Sequence, residues 1–63
     1  MTRDELLLTA YRETPGKLAW FRAFHADADD LTRAKNMCHK TGVLDDLSDD
    51  ELSAYIQRLR HAR

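Results

Sequence analysis

Few residues in this chain could do covalent or metal chemistry: one cysteine, Cys38, and three histidines, His25, His39 and His61. A four-ligand zinc site would need all of them, and their spacing matches no zinc pattern. Cys38 and His39 are adjacent, and neighbours on a helix point about 100° apart. They therefore do not form a nucleophile–base pair on their own. A partnership of Cys38 with His25 would need a break in the helix carrying both. Asp27-Ala28-Asp29 has the opening alternation of a calcium loop but lacks the glycine and the distal glutamate. No glycine-rich phosphate loop exists, and 63 residues leave little room for a closed pocket. The expectation is a protein that is not an enzyme and has no catalytic, cofactor-binding or metal site.

Size and composition bound the rest. Hydrophobic content of 43% beside 33% charge fits a folded domain better than a disordered tail, and the length allows one domain, 1–63. A chain this short buries only roughly 60% of the surface its unfolded form exposes. With no second cysteine and no zinc pattern to help, self-association is the stabiliser left, although some domains of this size fold alone. A single thiol suits a reducing cytosol. No secretory signal is visible and no apolar run approaches a membrane span, so the expected location is the cytoplasm. A net charge of −1 supplies no overall electrostatic reason to bind nucleic acid.

The elements are marked by start signals. Thr2 with Glu5 makes a capping box, with Met1 and Leu6 placed for a hydrophobic staple. The helix runs through Leu7, Leu8, Ala10 and Tyr11 and ends near Glu13, because the residue before Pro15 avoids helical geometry. Ser48 with Glu51 makes a second box, flanked by the Leu47 and Leu52 staple. Leu52, Tyr55, Ile56 and Leu59 then form one apolar stripe. Between these helices, Phe21, Phe24, Ala28, Leu31, Lys35 and Cys38 follow the 3-4 spacing of a short coiled-coil seam. One reading is a continuous helix over 16–41, stopped by Gly42. The other breaks it near 27–30, where aspartates cap a new helix starting near Leu31. Two alanines and the lack of glycine or proline favour continuity. The expected fold is all-α: three helices over about 3–13, 16–41 and 49–61, assembled as a helical homodimer.

Three surfaces are candidates for function. Trp20, Phe21 and Phe24 span an arc of about 100° on a helix. Either these rings are core, or the arc is too wide for two short helices to cover and part of it faces a partner. Trp20, Phe21, Phe24, Leu31 and Cys38 are the interface candidates. Lys35 either sets register in the seam or snorkels to water. Asp45, Asp46, Asp49 and Asp50 are candidates for an acidic surface that docks a basic protein; the same charges also serve helix capping. Arg58 to Arg63, with Lys35 and Lys40, is the one basic footprint for nucleic acid. Used as a recognition helix, the last helix would place the anionic Ser48-Asp49-Asp50-Glu51 beside phosphates.

The chain's length, its three capped helices and the run Thr2-Arg3-Asp4-Glu5-Leu6-Leu7-Leu8 resemble the very small proteins encoded between the recombination and excision genes of lambdoid phages. The resemblance covers the whole chain. It implies a non-enzymatic accessory regulator in the host bacterial cytoplasm that bears on the choice between lysis and lysogeny, and it carries over no site residues. Leu47-Ser48-Asp49-Asp50-Glu51-Leu52 is similar to a stretch in the Hha/YmoA family of small helical modulators that work with a nucleoid protein. The expected function is a small regulatory interaction protein that binds itself and a second protein, with a nucleic-acid-binding or nucleoid-associated modulator as the alternative.

Overall fold

The computed structural model describes residues 1–15, 26–39 and 42–62. Along these residues run helix α1 (Arg3–Glu13), helix α2 (Asp30–Asn36), strands β1 (Cys38–His39) and β2 (Gly42–Val43), a 3-10 turn (Leu44–Asp46) and helix α3 (Asp49–His61). The architecture is all-α. The antiparallel ladder, Cys38 opposite Val43 and His39 opposite Gly42, is only two residues deep, too short to show any alternation in the sequence.

The first and last helices begin and end where their residues dictate. Thr2 accepts the Glu5 backbone N–H at 3.2 Å, and Glu5 accepts from the Thr2 backbone in return. Thr14 is extended, with φ −76° and ψ 114°, as expected of a residue before proline. Ser48 accepts the Glu51 N–H at 3.2 Å while the Ser48 N–H donates to Glu51 at 3.0 Å. The Leu47–Leu52 staple is in place, both side chains being buried. Its counterpart at Met1 is not: Met1 is 74% exposed while Leu6 is buried.

The middle segment corrects the continuous-helix expectation. Residues 26–29 are not helical, and α2 starts at Asp30 after Asp29, which is extended and accepts the Thr32 N–H at 2.7 Å. Aspartate competes for backbone N–H groups and is a better cap than helix interior. Three contacts reinforce the break. The Arg33 guanidinium donates to the Ala26 carbonyl at 3.2 Å, and Asp30 pairs with both Arg33 and Arg12 of α1.

Nor does α2 reach Gly42. It ends at Asn36, and Met37 turns extended. Gly42 is a strand residue and not a helix stop. The gain from ending early is burial: Met37 is 1% exposed, and the Leu44 N–H donates to the Met37 carbonyl, which seats fully buried Leu44 beside it. Cys38, the last position of the expected seam, therefore lies on β1. The register role for Lys35 falls with the seam. Lys35 is exposed, as its solvent-facing alternative requires.

The core gathers Leu6, Leu7, Ala10 and Tyr11 of α1, Ala34 of α2, Met37, Leu44, Leu47, and Leu52 and Ile56 of α3. Leu31 and Tyr55 pack against it half-buried. The α1 helix packs against both α2 and α3.

Candidate functional site

The structure brings the acidic candidates to one end of the molecule. Arg3, in the first turn of α1, reaches the start of α3. Its guanidinium donates to the Asp49 carboxylate at 2.8 Å and to the Asp45 and Leu47 carbonyls, each at 2.6 Å. The Asp45 carboxylate lies 3.7 Å away. At the other end of α1, the Glu13 carboxylate accepts from Arg60 of α3 at 2.9 Å. Thr14 and Tyr55 share a hydroxyl–hydroxyl hydrogen bond of 2.8 Å, and the Thr14 hydroxyl also lies 2.8 Å from the Ala10 carbonyl.

These pairs mean that α1 and α3 run in the same direction. Both helix N-termini, each a locus of partial positive charge, lie side by side. Arg3 adds a full positive charge there, against the dipole. The carboxylates of Asp4, Glu5, Asp45, Asp49, Asp50 and Glu51 offset that accumulation. The acidic cluster is thus the electrostatic complement of two parallel helix starts and a buttressing arginine. Glu51 titrates below the ordinary carboxylate range, first because the Ser48 backbone N–H donates to it and then because of the Ser48 side chain. Asp29 is lowered likewise, chiefly by the Thr32 backbone N–H. Arg60 is raised by the Glu13 carboxylate that accepts from it.

Of the expected acidic-surface residues, Asp45 and Asp49 meet on Arg3. Asp46 and Asp50 are exposed, and among the described residues no side-chain hydrogen bond or ion pair engages their carboxylates. Of the expected interface residues, Leu31 packs against the core and Cys38 sits on β1. Trp20, Phe21 and Phe24 lie outside the described residues. Cys38 and His39 are strand positions and not the last turn of a helix. Among the described residues, no group of three or more histidine, cysteine, aspartate or glutamate side chains gathers as for a metal ion. No helix among them is long and apolar enough to cross a membrane.

Sequence reasoning missed Arg3, Arg12 and Thr14. A signal existed for Arg3, since a cation in a helix's first turn opposes the dipole and calls for a local counter-charge. None existed for Thr14, whose partner Tyr55 is 41 residues away. Comparison with family models, curated proteins and solved structures finds no match. Function therefore rests on the chemistry of these residues.

Proposed function

We propose that this protein is a small non-enzymatic interaction module that binds another protein, and a second copy of itself, through the aromatic segment containing Trp20, Phe21 and Phe24. One observation carries the reading. The described helices and turns bury an aliphatic-rich core, and Met1 is the one large hydrophobic exposed among the described residues. The aromatic segment is the largest apolar feature of the sequence, and clustered aromatic side chains are the usual anchors of protein interfaces. The acidic surface is given a smaller part, because Asp45 and Asp49 are engaged by Arg3. Asp46 and Asp50 remain as charges that would favour a basic partner at the rim. The setting proposed with this role is that of a phage accessory regulator in the host cytoplasm, as the sequence resemblance implies.

Self-association is no longer assigned to a seam running from Phe21 to Cys38, because that seam is interrupted at Asp29. Sedimentation across a concentration series tests self-association. Reversible dimerisation is expected for the wild type and its loss for Phe24→Asp. A strict monomer at hundreds of micromolar overturns self-association.

The nucleic-acid alternative has Arg58, Arg60 and His61 in the last turn of α3 in its favour. Against it, Arg60 is paired with Glu13 and the opposite end of α3 is anionic. Electrostatic binding is strongest at low salt. A mobility-shift assay there showing tight binding would reverse the preference.

A further inference from the structure

We draw no further inference here: the strongest candidate, the acidic end where the first turns of α1 and α3 lie side by side, is a cluster of carboxylates engaged in helix capping and in the Arg3 pairs, and nothing in the structure shows a ligand or partner on it.

Discussion

Arg3 and Asp49, 46 residues apart in sequence, meet at 2.8 Å and hold the starts of α1 and α3 together. The same guanidinium takes the Asp45 and Leu47 carbonyls. These are backbone groups of the turn that leads into α3, and they would otherwise depend on water. Arg3 is therefore more than a surface ion pair: its planar fork serves three acceptors at once.

Replacing Arg3 tests that role. Hydrogen bonds to a charged donor are each stronger than neutral ones, but Arg3 is partly exposed, which screens them. Arg3→Ala should cost about 1 kcal/mol in urea unfolding after that screening is allowed for. Arg3→Lys should recover only part, because an ammonium cannot present the fork. A full recovery by lysine would show that charge alone matters.

Thr14 links the end of α1 to α3 from a buried position. Thr14→Val keeps the shape but removes the hydroxyl that meets both the Ala10 carbonyl and the Tyr55 hydroxyl. The expected loss is about 1–2 kcal/mol. Tyr55→Phe should cost less, since the Thr14 hydroxyl keeps its bond to Ala10. A double-mutant cycle measures the coupling, and strictly additive losses would remove the proposed link.

Asp29 is the residue on which the break before α2 depends. Asp29→Ala deletes the acceptor of the Thr32 N–H. The start of α2 should fray, seen as lost helical Cα chemical shifts at Asp30–Arg33, while α1 and α3 keep theirs. A gain of helix running through 26–30 would instead mean that Asp29 alone prevents continuity.

Acid should destabilise the fold in a defined direction. Asp29 and Glu51 have folded pKa values below those of the free side chains, so the native state binds fewer protons than the unfolded chain as pH falls. Their contribution is fully present above the ordinary carboxylate range, about pH 4, and is lost as pH drops through the depressed values. Arg60, raised by Glu13, is charged both folded and unfolded across this range and adds no slope. The melting temperature should fall below about pH 4, and less steeply in an Asp29→Asn, Glu51→Gln double variant. An identical acid limb in that variant would show that other carboxylates govern it.

The limits of α1 and α3 were legible because a cap, a box and a proline act within a few residues of one another. The middle of the chain was not, although its signals are just as local. There the alanines of 26–30 favour helix by propensity and the aspartates favour a cap, two terms of similar size. The balance was tipped by partners the local sequence does not contain: Arg12 on α1 beside Asp30, and a buried place for Met37 and Leu44. The acidic cluster was visible as composition, but its main task was not, since that depends on α1 and α3 lying parallel.

What the sequence determined by itself was therefore the start of each outer helix, the end of α1 and the apolar stripe of α3, all set by interactions within one or two turns. Only the tertiary structure decided where the middle helix begins and ends and what Arg3 holds. The physical reason is range: a guanidinium finds its carboxylate 46 residues away only after the core has brought the two helices together.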